Sequence, residues 1–354
     1  MDLQNTNVKR AFYTLFNNDI KNYIFIYTPP KVGSTTLVSS LRISLGNTFK
    51  VIHIHDDVML NVLTGINNVT VNEIITFASN EGKTVYVIDV YRTPIERKMS
   101  EFFEKISPYH FNNSEENINK YSIKRVSDRF NKLFPYLENG DHYFEKYDIG
   151  EPPKFDFNKK YTLQFVNGIN YIKLRLLDSK FWSSILSEIL KTDIVIINDY
   201  QTDNKKIGDL YKRFKNEYRL PLNHLELIKN CTFFNFYYNE QERNEYLQNW
   251  GNKLGPVFEP YTKAEYDFYM NICLENQAFN DIQSEHYIDE GCFCQLCGQK
   301  RSKLFIAAKK GNVITDKILH NKVVSEEAER KTNLFVNLHN KKHKNRFLLT
   351  SSFS

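Results

Sequence analysis

Cysteine is scarce in this chain, five in 354 residues, which excludes a disulfide-stapled scaffold and points to a reducing compartment. Alanine is scarcer than usual, 7 residues against 39 Asn, a skew read as base-composition bias in the coding DNA and not as function. No window reaches the about 18 consecutive apolar residues of a transmembrane helix. Met1 to Asp19 contains Asp2, Lys9 and Arg10 and lacks the apolar stretch of a signal peptide, so a cytoplasmic protein is expected. Neither sign of charge dominates, with 47 Lys/Arg against 42 Asp/Glu. The distribution is uneven, because residues 300 to 354 carry 13 basic and 4 acidic side chains and leave 34 and 38 for the rest. An acidic body with a basic tail is not the footprint of a nucleic-acid domain, and nucleic acid is not an expected partner. The tail, with Lys341, Lys342, His343, Lys344 and Arg346, reads as a solvated end that could touch an anionic glycan or another subunit. What the chain does have is aromatic mass: 27 Phe and 22 Tyr, enough to fill much of a core.

The first clear element is Tyr23-Ile24-Phe25-Ile26-Tyr27, an apolar run fit for a strand buried on both faces. Thr28-Pro29-Pro30 ends it, since proline has no N–H for sheet pairing. A helix follows from Leu37 through Leu45 and closes at Gly46. Val51 to His55 and Thr84 to Tyr91 read as the second and third strands, with a helix over 71–80 between them. Pro94 suits the first turn of a helix through Ile95, Met99 and Phe103. Residues 107–160 read as an irregular excursion with a helix around 115–137. Tyr171 to Leu177 and Asp193 to Asn198 complete five strands, with helices over 180–190, 204–217, 239–249 and 262–280. Strand–helix alternation of this kind implies a parallel sheet with right-handed crossovers.

Backbone N–H groups at a helix N-terminus form a site for phosphate, given a Gly for close approach, hydroxyls and a cation. Lys31-Val32-Gly33-Ser34-Thr35-Thr36, after the first strand, supplies all of these. The Walker A pattern Gly-x-x-x-x-Gly-Lys-Ser/Thr is absent, which weighs against an ordinary ATP or GTP hydrolase. A second element follows the third strand: Arg92-Thr93-Pro94-Ile95-Glu96-Arg97-Lys98-Met99-Ser100.

Together the two elements resemble sulfotransferases that use 3′-phosphoadenosine 5′-phosphosulfate (PAPS). In that family a 5′-phosphosulfate loop reads Pro-Lys-x-Gly-[Ser/Thr]-[Ser/Thr], and a 3′-phosphate element reads Arg-x-Pro-x-x-Arg-x-x-Ser. Both patterns are met in the family's order over residues 23–106, and the Gly-Ser-Thr version is similar to the carbohydrate, heparan-type branch. The stretch from Lys173 to Leu190 is also similar to bacterial and viral proteins described as capsular polysaccharide synthesis proteins. The resemblance implies a P-loop-like α/β fold with a five-stranded, mostly parallel sheet over 1–260, and a helical, basic extension over 261–354. It implies that Lys31 meets the 5′-phosphate and the bridging oxygen. Gly33, Ser34, Thr35 and Thr36 would donate to the phosphosulfate, and Arg92 and Ser100 would hold the 3′-phosphate. The acceptor would be a hydroxyl, on a carbohydrate.

An alcohol acceptor needs a base. His53 and His55 end the second strand on one face, at the end of a parallel sheet where ligands bind, with His55 placed ahead of His53. Heparan-type enzymes with a His-x-His carry it elsewhere in the chain, so this match is imperfect. Asp56, Asp57 and Asp89 are further candidates, Asp89 reading first as a buried carboxylate that caps a turn. Glu96 and Arg97 read as an exposed helix face. Two other readings of the same residues stand beside this one: a nucleotide-using kinase or transferase, and an interaction protein that keeps the fold without turnover. Cys292, Cys294 and Cys297 have partial zinc-knuckle spacing, with His286 or His320 as conceivable further ligands, but no second pair. They read first as a surface turn outside the transfer chemistry, with a structural zinc site and a redox pair as the other readings, and no catalytic metal is assigned. Cys231 and Cys273 read as buried thiols.

Overall fold

The computed structural model describes residues 3–16, 20–111, 113–197 and 206–275. A five-stranded sheet is built from β1 (Asn22–Tyr27), β2 (Phe49–Ile54), β3 (Thr84–Tyr91), β4 (Tyr161–Val166) and β5 (Ile169–Arg175), in the order β2-β1-β3-β5-β4. All pairings are parallel except the β4–β5 edge hairpin. The chain is therefore α/β with a mostly parallel sheet between helices.

The sequence makes the layers by alternation along strands buried on both faces. Tyr23, Phe25 and Tyr27 of β1 join one apolar cluster, with α1 (Leu3–Leu15) and, further along the chain, Leu60 and Ile74. Ile24 and Ile26 point the other way, onto Leu37 and Leu41 of α2 (Ser34–Leu45) and onto Trp182 and Leu186 of the helix Trp182–Leu190. The first cluster also takes in α3 (Asp57–Thr64) and α4 (Val71–Asn80). A third cluster is rich in Phe and Tyr and lies under α5 (Pro94–Glu104), the helix Ile123–Leu133 and residues 207–250.

The expected fifth strand is corrected. Residues 193–197 do not join the sheet, and Asn198 lies outside the described residues. The N–H groups of Ile194, Val195 and Ile197 donate to the hydroxyls of Ser187 (2.8 Å), Ser44 (2.9 Å) and Ser40 (3.0 Å). Helix serines satisfy these donors, so no strand partner is needed. The fifth strand is β4, turned onto β5 by Asn167-Gly168, both at left-handed φ (50° and 80°). That is the backbone a tight hairpin turn demands.

Going from β1 to β2 the chain moves one way across the sheet, and β3 returns on the other side of β1. The C-terminal end of β1 is thus a topological switch point, where α/β sheets open a crevice. Among the described residues no helix is long and apolar enough to cross a membrane.

Candidate functional site

At the switch point, residues 28–33 connect β1 to α2 by a tight loop. Lys31 and Gly33 both adopt left-handed backbone, at φ 66° and 93°. Between them Val32 is fully buried and pins the loop to the core. A side chain at position 33 would be strained by that φ, and its Cβ would approach Leu176 Cδ1 to 2.9 Å. Gly33 is the N-cap of α2 and has no side chain to bond the first-turn amides. Those amides, from Ser34 onward, lack intrahelical acceptors. Lys31 Nζ lies 3.0 Å from Glu104 Oε2, near the end of α5.

From the next strand over, Arg92 reaches the same loop. Its Nη1 donates to the Lys31 carbonyl at 2.8 Å, so two elements 61 residues apart meet at one point. Ser100 follows on α5 and is 5% exposed. The expectation of an exposed face at Glu96 and Arg97 is corrected. Arg97 is buried and donates to Glu138 Oε2 (2.8 Å) and to the Gly140 carbonyl. Glu96 accepts from the Tyr246 hydroxyl (2.7 Å) and from Trp250 Nε1 (3.2 Å). α5 is covered on this side by the helix Glu240–Gly251, which the spacing within α5 alone cannot reveal.

The two histidines share one face, with ring centroids 4.4 Å apart. His53 is buried within β2, while His55 stands just past its end and is half-buried. His55 Nδ1 lies 2.7 Å from the Thr28 carbonyl. A carbonyl only accepts, so Nδ1 carries the proton and Nε2 presents its lone pair. Burial first, then the charges of His142 and Lys31, hold His55 down to about 4, against the Thr28 bond and Asp56. A neutral imidazole with a free lone pair is what a general base needs. His142 donates from Nε2 to the His55 carbonyl at 2.6 Å and fixes its backbone. The other acids near the end of β2 are engaged: Asp56 accepts from the Met59 N–H (2.7 Å) and Asp57 from the Val71 N–H (2.8 Å).

Behind the loop lies a buried ionic network. Asp89, fully buried on β3, accepts from the Thr28 hydroxyl (2.7 Å), from the Tyr143 N–H (3.1 Å) and from Lys173 Nζ (2.7 Å). Lys173, its register partner on β5, also donates to Asp141. Asp141 accepts from the Tyr237 hydroxyl at 3.0 Å. Burial is the first cause that raises Asp141, with Asp89 adding to it and Lys173 opposing. Asp89 is thus a structural carboxylate tied to Thr28 and to the segment that carries His142. Lys173, Asp141 and His142 were missed from sequence. An isolated Lys in an apolar strand, matched by an isolated Asp in another, was the available signal.

Buried neutral histidines leave a pH signature. Burial is the first cause that lowers His53, His55, His110, His142 and His224, with His55, His142 and His224 at about 4 and His110 at about 3. The unfolded chain takes up these protons near pH 6.5, and the folded chain only well below it. Their contribution is therefore complete above about pH 6.5 and is lost as pH falls through about 4. Melting temperature should fall steeply across that window. A flat profile there would contradict the burial of these rings.

The structure gathers Lys31, Gly33, Ser34, Thr35, Thr36, Arg92, His53 and His55 at the ends of β1, β2 and β3. Ser100 sits deeper along α5 and is buried, and no hydrogen bond joins it to Arg92 among the described residues. Cys231 is buried beside Asn139 at 3.5 Å. Cys292, Cys294, Cys297, His286, His320 and the basic tail lie outside the described residues. No family model, no curated protein and no solved structure matches the chain.

Proposed function

We propose that the protein transfers a sulfuryl group from PAPS to a hydroxyl acceptor, on a carbohydrate. The observation that carries this reading is the Arg92–Lys31 contact at the switch point, which joins the two elements that resemble the donor-binding motifs. Gly33 supports it, because its left-handed backbone opens α2 with first-turn amides that no side chain caps. PAPS supplies an activated sulfuryl group. The Ser34, Thr35 and Thr36 amides and hydroxyls would hold its phosphosulfate end, and Arg92 its 3′-phosphate. Lys31 would place positive charge where the leaving oxyanion develops. His55 Nε2 would take the proton of the attacking hydroxyl, and the Thr28 carbonyl keeps the ring in the required tautomer.

One observation favours a second reading, a fold that keeps the cleft without turnover: Lys31 is held by Glu104. The desulfated product 3′-phosphoadenosine 5′-phosphate (PAP) separates the readings from a kinase. PAP should raise the melting temperature clearly more than ADP or AMP, since ligand binding to the native state stabilises it in proportion to the logarithm of ligand excess. Arg92→Ala should erase most of that difference by removing a charge-assisted contact worth about 1.5–3 kcal/mol. Equal shifts from ADP and PAP would mean that there is no 3′-phosphate site, and the kinase reading would gain.

A further inference from the structure

The sheet has two outer edges, and the chain treats them differently. On β2 a lysine, Lys50, lies within the strand, and the Arg42 guanidinium of α2 donates to the Val51 carbonyl from Nη2 at 3.0 Å. The other edge, β4, reads Tyr-Thr-Leu-Gln-Phe-Val. It has neither charge nor proline, the usual devices that keep an edge strand from pairing. Within the sheet its only neighbour is β5.

The hairpin turn fixes which way the backbone of β4 points. Val166 and Ile169 flank the two-residue turn Asn167-Gly168 and pair with each other, as the flanks of such a turn do through backbone bonds. Alternation along an antiparallel ladder then aims the N–H and C=O groups of Thr162 and Gln164 at β5, and those of Leu163 and Phe165 away from it. Tyr161 pairs with Leu174 on one side and bridges to Asp156 on the other, so that end of the edge is closed. The outward groups of Leu163 and Phe165 have no partner among the described residues. Their side chains share one face and are 45% and 68% exposed.

We propose that this edge is the contact of a two-fold symmetric dimer, in which a second copy of the chain lays its own β4 antiparallel to the first. Two-fold contacts use the same patch on both subunits, so the patch must complement itself. Here it does. The strand is uncharged, so no like charges meet across the pair, and the apolar side chains of both copies gather together. The ends of the edge carry opposite charge. Exposed Lys159 stands before β4, and exposed Glu81 lies two residues past Ser79, whose hydroxyl donates to the Asn167 carbonyl of the turn at 3.4 Å. Antiparallel copies bring each lysine toward the partner's glutamate end, twice over, whereas parallel copies would set like against like. Because Asp156 occupies the place beside Tyr161, the axis passes near Phe165. The parallel strands of the two copies then run in opposite directions, so the two loops after β1 open on opposite rims and both stay accessible. The dimer does not depend on the transfer reading.

The test is sedimentation velocity of the full chain from low to high micromolar concentration, with amide hydrogen exchange measured at both ends of the range. A monomer–dimer equilibrium is expected, since a contact of one short strand is small and reversible. The Leu163 and Phe165 amides should exchange fast in the monomer and slowly in the dimer. Phe165→Lys should weaken the dimer about tenfold or more, because a charge on an edge opposes pairing. Its position is exposed, so the melting temperature of the monomer should not change. Leu163→Pro removes one outward N–H, spares the bonds to β5, and should act in the same direction. Lys159→Glu should weaken the dimer as well, and Lys159→Glu combined with Glu81→Lys should restore it. A chain that stays monomeric throughout, or a dimer that survives both Phe165→Lys and Leu163→Pro, overturns the proposal. So does slow exchange of the two amides in the monomer, which would put another segment of the same chain on this edge. Failure of the charge swap to restore the dimer would overturn the antiparallel arrangement.

Discussion

Lys31→Ala is expected to lower turnover about 100- to 1000-fold, the usual effect of removing one group aimed at a developing oxyanion. Turnover here is PAP released from PAPS in the presence of a hydroxyl acceptor. Nucleotide affinity should fall much less, because on the proposed reading the first-turn amides of α2 would still meet the phosphosulfate in both ground and transition states. The Lys31–Glu104 pair adds a second arm. Its members are 15% and 33% exposed, so the pair contributes about 1 kcal/mol or less. An arriving dianion competes with Glu104 for the ammonium and is repelled by the carboxylate. Glu104→Gln should therefore tighten PAP binding by up to about tenfold, a gain of ~1.4 kcal/mol. An unchanged turnover number in Lys31→Ala would sink the role given to this lysine. Unchanged PAP affinity in Glu104→Gln would show that the pair does not gate the loop, and would leave the second reading without its supporting observation.

The central sheet was legible because its strands are largely apolar runs, with Pro29-Pro30 after β1, and Gly82 before and Arg92 after β3, as the clearest boundaries. That signal is local, and it gave β1, β2, β3 and β5 to within a residue or two. The same rule misplaced the fifth strand, because an apolar run at 193–197 reads the same whether a strand or helix serines take up its N–H groups. Asn167-Gly168 was the better sign of a hairpin, and it lies between the irregular excursion over 107–160 and the strand read from Tyr171, in a stretch to which no element was assigned. In the site, the loop after β1 could be read from spacing alone, since glycine, hydroxyl and lysine positions are fixed by the turn. What could not be read was long-range: that Glu104 returns to Lys31, that Tyr246 and Trp250 cover Glu96, and that His142 fixes His55 across 87 residues. Such contacts depend on how helices pack over the sheet edge. Hydrophobic period shows that a face is covered, and says nothing of which polar atom covers it.

Replacing Lys173 should have the largest effect on stability. Its ammonium is 1% exposed and stands between two carboxylates, Asp89 and Asp141, that are both fully buried. Breaking a buried ion pair by removing one partner typically costs about 3–5 kcal/mol, because the remaining charge has neither water nor a counter-ion. Lys173→Met keeps much of the volume and removes only the charge, so the loss at neutral pH should reach that range in urea unfolding. It should shrink as pH falls and the stranded carboxylates take up protons. Lys173→Met combined with Asp89→Asn and Asp141→Asn should recover most of the loss, since residues in one network are not additive. The site should respond as well. Asp89 accepts from the Thr28 hydroxyl and from the Tyr143 N–H, while Thr28 orients His55 and the residue before Tyr143 fixes the His55 backbone. The folded fraction of Lys173→Met should thus bind PAP yet turn over more slowly, with a pH profile displaced from the parent's. A loss of stability under about 1 kcal/mol would mean that the carboxylates share protons in the folded state, and that the network does not hold the loop through charge.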